Sequence, residues 1–275
     1  MQRRELIRQL VQKSCELRAN ILRMIHAAGA GHPGGSLSVA DIVTALYFYE
    51  LHIDPTNPAW PQRDRFILSK GHACPAWYAA LAERGFFPKD QLPTLRQLDS
   101  MLQGHPDKKK TPGVDMTTGS LGQGLSLAFG MAMASRISGL GFRVYVVLGD
   151  GEVQEGQVWE AAMACAKYKL DNLVAFIDRN KMQVDGLTEN VMPVEPLAEK
   201  WKAFGWEVRE IDGHNMEEIV GVLDWARSIE GKPVMVIAHT IKGKGVSFME
   251  NVREWHAKAP TDEQLAAALR ELGVA

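Results

Sequence analysis

The sequence carries no strong excess of either charge, no cysteine pair at metal-binding spacing and no long apolar run. Each absence removes a class of function. With 31 basic against 33 acidic residues the formal net charge is −2, which excludes a strongly basic nucleic-acid binder on bulk electrostatics, though not a local basic patch. The three cysteines, Cys15, Cys74 and Cys165, are scattered and form no CxxC motif. Such a set fits a reducing cytoplasm better than a disulfide framework or a zinc site. No uninterrupted apolar stretch of about 18 residues occurs, so no membrane span is expected. The opening MQRRELIRQL has no apolar core of a secretory signal, and a cytoplasmic protein is the expectation. The phosphate-loop fingerprint GxxxxGK[ST] is missing as well.

What remains is an ordinary globular balance, 46% hydrophobic and 23% charged over 275 residues, enough for a sizeable core. Leu6, Leu10, Leu17, Ile21 and Met24 recur at helical spacing, which predicts an amphipathic helix over 3–28 ended by Gly29 and Gly31. A second helix is expected over 41–51, a short strand over 65–69 and a helix over 74–84. Residues 104–119, with Gly, Pro, Asp, Thr and a run of three lysines, read as a long exposed loop. The continuous apolar run Val144–Leu148 reads as a parallel strand buried on both faces. A helix over 155–169 and a second apolar strand over 173–178 complete a βαβ unit, whose handedness makes the two strands parallel. Two more strands, 207–211 and 233–238, flank a helix over 216–229, and a last helix covers 262–272. No repeat or Pro/Ser-rich linker divides the chain. A single doubly wound α/β domain over 1–275 is expected, with a mostly parallel sheet and helices on both faces.

Sheets of this kind bind ligands beyond the carboxyl ends of their strands. Three polar, glycine-containing loops fall there. Gly149-Asp150-Gly151 follows the strongest strand and lets backbone N–H groups approach an anion while the acid faces a metal; alone, such a tripeptide is more often a tight turn. The next strand ends in Asp178-Arg179-Asn180-Lys181-Met182. If the two strands are close, Asp150, the Asn180 side-chain oxygen and the Met182 carbonyl converge on one cation. Such hard oxygen donors suit Mg²⁺ or Ca²⁺ rather than zinc or copper. Mg²⁺ keeps positions for phosphate oxygens, so a bound diphosphate would complete its shell. The third loop, Thr117-Thr118-Gly119-Ser120-Leu121-Gly122-Gln123-Gly124, leads into a helix over 125–135 and suits phosphate contact or close cofactor packing.

TTGSLGQGLS, GDGEVQEGQVWEAA and FIDRNKMQVDG together resemble the cofactor-binding signature of transketolases, which use thiamine diphosphate. AGAGHPGGSLSVADI, SKGHACPAWYAAL, GHPDKKKTPGVD, and TIKGKGVSF with WHAKAP agree with the same family in order and spacing, from about residue 15 to 260. The resemblance implies the thiamine diphosphate-binding fold and transfer of a two-carbon ketol group from a ketose phosphate to an aldose. It implies that Asp150, Asn180 and the Met182 carbonyl hold Mg²⁺ and that Gly151 touches the diphosphate. Gly119, Ser120, Leu121, Gly35, His72 and Lys242 would line the cofactor, as would Asn180 and His256. His32, His72, His105 and His256 would surround the reactive carbon and bind substrate hydroxyls, and Glu155 would sit where subunits meet. Imidazole suits proton movement near neutral pH. Arg179 stands where the signature often has the first of two asparagines. His26, His52, His214 and His239 have no comparable setting and read as structural.

Transketolases are normally longer, with a second α/β domain that contacts the pyrimidine ring of the cofactor. The resemblance therefore implies the N-terminal subunit of a split transketolase, active only with a C-terminal subunit that carries the pyrimidine-binding domain, as a two-plus-two heterotetramer. Ordinary pentose phosphates are the expected substrates, although the sugar itself is not legible. Two alternatives are the α subunit of a 2-oxo acid dehydrogenase, which would leave the His32, His72 and His105 loops unexplained, and an assembly subunit that binds cofactor without turnover.

Overall fold

The apolar runs become a five-stranded parallel sheet in the computed structural model, which describes residues 2–274. The strands are β1 (Arg65–Leu68), β2 (Val144–Gly149), β3 (Leu173–Arg179), β6 (Glu207–Asp212) and β7 (Val234–His239). The two between them in sequence, β4 (Met182–Gln183) and β5 (Gly186–Leu187), form a separate small hairpin. Spatial order in the sheet is β1-β2-β3-β7-β6. All four pairings are parallel.

Successive strand residues point to opposite faces, so a sheet covered on both sides needs apolar residues at every position. One face buries Phe66, Tyr145, Val147, Val174, Phe176 and Val236. Against it lie the long helix α1 (Arg3–Ala28), α3 (Ala40–Ala45), α4 (Cys74–Arg84) and α9 (Met216–Arg227). The other face buries Ile67, Val146, Leu148, Ala175, Ile177 and Ile237 under α5 (Gln123–Ser138), α6 (Gly156–Lys167) and Trp201 of α8 (Leu197–Ala203). Three shorter or peripheral helices, α2 (Pro33–Ser38), α7 (Thr188–Val191) and α10 (Asp262–Glu271), complete the set. The doubly wound α/β architecture expected from the sequence is the one observed.

Three readings need correction. The helix expected over 41–51 starts at Ala40, and its last turn, Leu46–Glu50, widens to π geometry. The stretch 104–119 has no helix or strand, yet it is not simply exposed. Thr111, Val114 and Asp115 are buried, and the Asp115 carboxylate accepts from the Phe66 N–H (2.8 Å) and pairs with Arg63 (2.6 Å). The loop is thus pinned to the first strand. The hairpin and the two short helices over 182–203 were not anticipated. Among the described residues no helix is long and apolar enough to cross a membrane.

A buried charge network ties this scaffold to the site. Arg18 of α1 donates to both oxygens of Asp41 (3.0 and 2.6 Å) and to the Lys244 carbonyl (3.1 Å). His214 completes it: Nε2 accepts the Ile241 N–H (2.8 Å), so Nδ1 carries the proton and donates to Asp41 (2.8 Å). Burial pushes the Asp41 carboxyl up, but Arg18 and His214 outweigh it and hold it well below the usual carboxylate range. The network fixes the segment that carries Lys242. Removing one partner of a buried pair strands the other charge, so Arg18→Met is expected to cost about 3–5 kcal/mol of unfolding free energy in urea titration, and a loss below about 1 kcal/mol would show that the pair does not hold the scaffold.

Candidate active site

The register of β2 on β3 sets Gly149 opposite Asp178, so the two loops that follow leave the sheet side by side. Asp150 and Asn180 accordingly sit on the same rim. The Asp150 carboxylate accepts from the backbone N–H of Lys181 (2.5 Å) and of Gly151 (2.8 Å). The Asn180 side-chain oxygen accepts from the Met182 N–H (3.1 Å), and its amide nitrogen donates to Asp178 (3.2 Å). Lys181 adopts a left-handed backbone, φ 65°, which turns the chain back so that Met182 joins the rim. These three residues line one cleft of about 360 Å³ with Gly35, His32, Lys70, His72, Gly119, Leu121, Gly151, Lys242 and His256.

The floor is built from buried charges that sequence reading passed over. Asp178 is fully buried and accepts from Ser38 (2.6 Å), Lys70, Thr240 and Asn180. Burial pushes its carboxyl up, but the Lys70 ammonium and these hydroxyls outweigh it and keep the group ionised. Lys70 also donates to the Gly35 carbonyl (2.8 Å), drawing α2 onto the site. Glu152 knots three loops together, accepting from Ser69, the Gly122 N–H (2.9 Å) and the Gly149 N–H (2.9 Å). Gly71 permits a direct backbone approach, since a Cβ there would lie 2.8 Å from the Gly119 nitrogen. The available signal was a charged residue at the end of an apolar strand, which must be buried and therefore paired.

Arg179 is also buried, and all of its donor nitrogens are engaged. It donates to Asp150 (3.1 Å), Thr188 (2.7 Å), Glu189 (2.8 Å) and Glu195 (2.9 and 3.1 Å). The residue noted only as a departure from the family signature thus anchors segment 188–195 to the acid of the rim. Burial and the neighbouring Asp178 raise the Asp150 carboxyl above its ordinary value, with Arg179 pulling the other way.

Three of the four expected histidines form a triangle. Ring centroids are 5.2 Å apart for His32 and His72, 5.5 Å for His32 and His256, and 5.4 Å for His72 and His256. His105 stands outside it, with its ring against Gly119. Burial, helped by the cations Arg96 and Lys242, lowers His32 to about 4, and burial with Lys242 lowers His256 to about 4. His72 is also depressed, by burial and Lys70. The triangle is therefore neutral at pH 7. Lys242, pushed down to about 8 by burial and Lys70, donates to His256 Nδ1 (2.9 Å). This places the His256 proton on Nε2.

The other expected residues lie at the mouth. Ser120 and Leu121 are exposed on its lip, and Glu155 is exposed with its side chain against Gly122. The remaining histidines make structural contacts: His26 with the Pro260 carbonyl, His52 with Trp60, His239 with Glu210. A larger cavity of about 500 Å³ shares Asn180 and Met182 as a wall. Its His214 has both ring nitrogens engaged, by Asp41 and by the Ile241 N–H.

The residues present fit a diphosphate cofactor and a hard cation. An acid and an amide oxygen share one rim, glycine backbone lines the cleft beside them, and the buried Nδ1 of His32 has no partner among the described residues. No cluster of three His, Cys, Asp or Glu side chains able to hold a metal occurs among the described residues. The set in question contains one carboxylate, an amide and a carbonyl, a composition favoured by Mg²⁺ rather than by transition metals.

Comparison with known proteins agrees with this geometry. Residues 10–275 match the family model described as "Transketolase, thiamine diphosphate binding domain". The chain is similar to the 6-deoxy-6-sulfo-D-fructose transketolase subunit SqwG of Clostridium sp. (strain MSTE9), at 51% identity over 92% of this chain and 94% of that one. It is similar to one of the subunits of the apulose-4-phosphate transketolase of Actinobacillus succinogenes, at 45% identity over 96% of each. Among solved structures, the transketolase of Leishmania mexicana superposes with a TM-score of 0.92 at 30% identity, covering 96% of this chain and 41% of that chain. The chain thus spans about two-fifths of that transketolase, but nearly the whole of the separate subunits.

The histidines give a pH prediction. A folded-state value near 4 against about 6.5 unfolded means the unfolded chain binds more protons between those limits. Stability from His32 and His256 is then complete above pH 6.5 and falls as pH drops towards 4. Denaturant midpoints of the wild type and of H32Q/H256Q, compared from pH 7 to 4.5, should converge as pH falls. Parallel curves would show that the two rings are not held neutral.

Proposed function

This chain belongs to the transketolase family of thiamine diphosphate-binding domains, and on that premise we propose that it is the diphosphate-gripping subunit of a two-chain transketolase, which moves a ketol group from a ketose to an aldose. The observation that carries this is the shared rim of Asp150 and Asn180 over a cleft whose histidines are neutral. We place residues 1–275 in one cofactor-binding domain. Asp150, Asn180 and the Met182 carbonyl hold Mg²⁺ or Ca²⁺, Gly151 lies against the diphosphate, and Gly35, Gly119, Ser120, Leu121, His72 and Lys242 line the remainder.

Bound thiamine diphosphate supplies the carbanion chemistry that cleaves the bond beside a carbonyl. The chain supplies orientation and protons. His256, held by Lys242 at Nδ1, presents Nε2–H as a donor to a substrate oxygen. His32, neutral and with Nδ1 free, is poised to accept a proton. His72 closes the triangle and His105 contacts the sugar further out. Burial keeps these groups away from water, which strengthens each polar contact to the substrate.

The support for a second subunit is that relatives matched over nearly their full length are themselves named as subunits. Leu121 on the lip, and Ile137, Met163 and Tyr168 on or beside α5 and α6, are exposed, an apolar surface suited to a permanent partner with an interface of about 2,000 Å² or more. Glu155, on the same lip, is placed at that contact, and the assembly is two plus two. The partner carries the pyrimidine-binding half. The relatives named for 6-deoxy-6-sulfo-D-fructose and apulose-4-phosphate widen the substrate from pentose phosphates to ketoses with a terminal phosphate or sulfonate. The three free cysteines fit a reducing cytoplasm.

Two measurements test this reading. Asp150→Ala should abolish Mg²⁺-dependent binding of thiamine diphosphate in calorimetry, and normal binding would displace the metal site from this rim. The chain alone, given cofactor, Mg²⁺ and a ketose phosphate, should show no transfer until a pyrimidine-binding partner is added. Turnover by the single chain would refute the shared-site arrangement.

A further inference from the structure

The larger cavity beside the rim has no part in the transfer chemistry, and the topology gives a reason for its existence. The chain leaves β3, crosses to the edge strand β6 and returns to β7, so the spatial order β1-β2-β3-β7-β6 reverses there. From β3 it continues to α8, on the face that buries Trp201. From β7 it continues to the opposite face, which buries Val246, Met249 and Trp255. Neighbouring strands whose continuations part in this way leave a crevice at their carboxyl ends, the favoured place for a ligand in an open α/β sheet. The cavity of about 500 Å³ opens there, between Lys181 after β3 and His239 at the end of β7. Pockets for small metabolites run from roughly 300 to 1,000 Å³.

Asn180 and Met182 form the wall between this cavity and the cofactor cleft, and each side has its own lysines. Lys242 lines only the cleft, whereas Lys181 and Lys244 line only the cavity. Backbone geometry makes that division. Lys181 is left-handed, φ 65°, and gives its N–H to Asp150 on the cleft side. Its ammonium has no hydrogen-bond or ion-pair partner among the described residues. Gly243 turns the chain between the other two lysines at φ 80°, where a Cβ would lie 2.2 Å from the Met249 carbonyl oxygen. Asn251, also left-handed at φ 56°, closes the same loop by donating its N–H to the Lys242 carbonyl (2.8 Å). Gly213 lets the loop after β6 close the far side, since a Cβ there would come within 2.5 Å of Thr240 Cγ2.

We propose that this cavity is a second ligand site, for a small phosphorylated polyol, with Lys181 and Lys244 on the phosphate and Asp212 and Asn251 on the hydroxyls. The lining sets two lysines against one carboxylate, Asp212, one oxygen of which is taken by the His214 N–H (2.8 Å). Lys244 is held only loosely, 3.4 Å from Glu250. Ammonium groups in this state bind phosphate oxygens as charge-assisted donors. The second Asp212 oxygen and the Asn251 amide, which has no partner among the described residues, suit hydroxyl groups. Met182, Leu187 and Ile241 give an apolar wall for the carbon chain. A phosphate here faces the cofactor diphosphate across the shared wall of Asn180 and Met182. The two anions repel, so each weakens binding of the other by the same factor. The site lies beyond the transfer reading and does not depend on it.

The histidines supply separate reporters, since His239 lines this cavity and His256 lines the cleft. The purified chain is titrated at fixed pH with sorbitol 6-phosphate, which has no carbonyl to react, while ring protons are followed by NMR. H239Q and H256Q assign the two signals. A saturable shift of His239 is expected, with its midpoint raised about tenfold or more in K181M/K244M, as for loss of charge-assisted hydrogen bonds. Inorganic phosphate should move the same signal at higher concentration, and neutral sorbitol should leave it unmoved. The His52 ring, which packs on Trp60 and lines neither cavity, reports that the double variant is folded. A flat His239 titration, equal midpoints in the folded double variant, or an equal response to neutral sorbitol would overturn the site. This measurement uses no cofactor, so its failure is distinct from failure of the transfer reading. Calorimetry of thiamine diphosphate with Mg²⁺ then tests the coupling. Saturating sorbitol 6-phosphate should weaken cofactor binding about fivefold or more in the wild type, and leave K181M/K244M unchanged. An equal weakening in both would place the phosphate in the cofactor cleft, and no weakening in the wild type would refute the antagonism.

Discussion

The pairing of β2 with β3 is the constraint from which the site follows. In a parallel ladder each residue has a fixed opposite number, and here Gly149 faces Asp178. Just beyond that pair, the chain delivers an acid from one strand and an amide from the other to the same rim. A shift of that register by one residue would turn every side chain of one strand onto the other face of the sheet. It would take Tyr145 and Val147 out of one core, and Val146 and Leu148 out of the other. The packing of both faces therefore holds the alignment of the rim, and the chemistry is positioned by hydrophobic burial some distance beneath it.

Burial at the strand ends also imposes an electrostatic cost, which the structure meets by closure. Asp178, Glu152 and Asp41 are each removed from water, and each accepts several hydrogen bonds. Each carboxylate joins elements distant in sequence: Asp178 gathers α2, the end of β1 and the end of β7, while Glu152 gathers the loops after β1 and β2 and the one before α5. An unpaired charge at such depth would cost several kcal/mol. The arrangement of loops around the cleft is consequently specified by polar geometry on top of apolar packing.

Legibility followed the range of the interaction. Val144–Leu148 was readable as a buried parallel strand because its partners on both faces demand a continuous apolar run. Asp150 and Asn180 were readable because glycines and an amide at strand ends are local features, and the family signature covers them. Lys70 and Asp178 were not singled out because their pairing spans 108 residues and exists only once β1 and β3 share a sheet. The 182–203 region escaped because two-residue strands and a seven-residue helix are too short to show a period. His105 was legible as a loop histidine, but its separation from the other three depends on how the chain returns past Gly119.

The charges of the cleft divide into two kinds with opposite consequences. Asp178 and Lys70 pair directly and Glu152 is held by hydrogen bonds from Ser69 and two backbone N–H groups, so these three act as structure. Lys242 and Arg96 carry positive charge that no described carboxylate cancels by direct contact. Burial, with Arg96 and Lys242 at His32 and with Lys242 and Lys70 at His256, holds the two rings near 4. A site lined by charged imidazoliums would hold an anionic ligand strongly, but it would have no base. One lined by neutral imidazoles alone would keep its bases and attract the anion weakly. Placing permanent cations beside neutral histidines gives both properties at once, because lysine and arginine keep their protons at a pH where the shifted imidazoles have lost theirs. Attraction for anions and proton-accepting capacity therefore reside in different side chains, and the same cations that provide the first help to preserve the second.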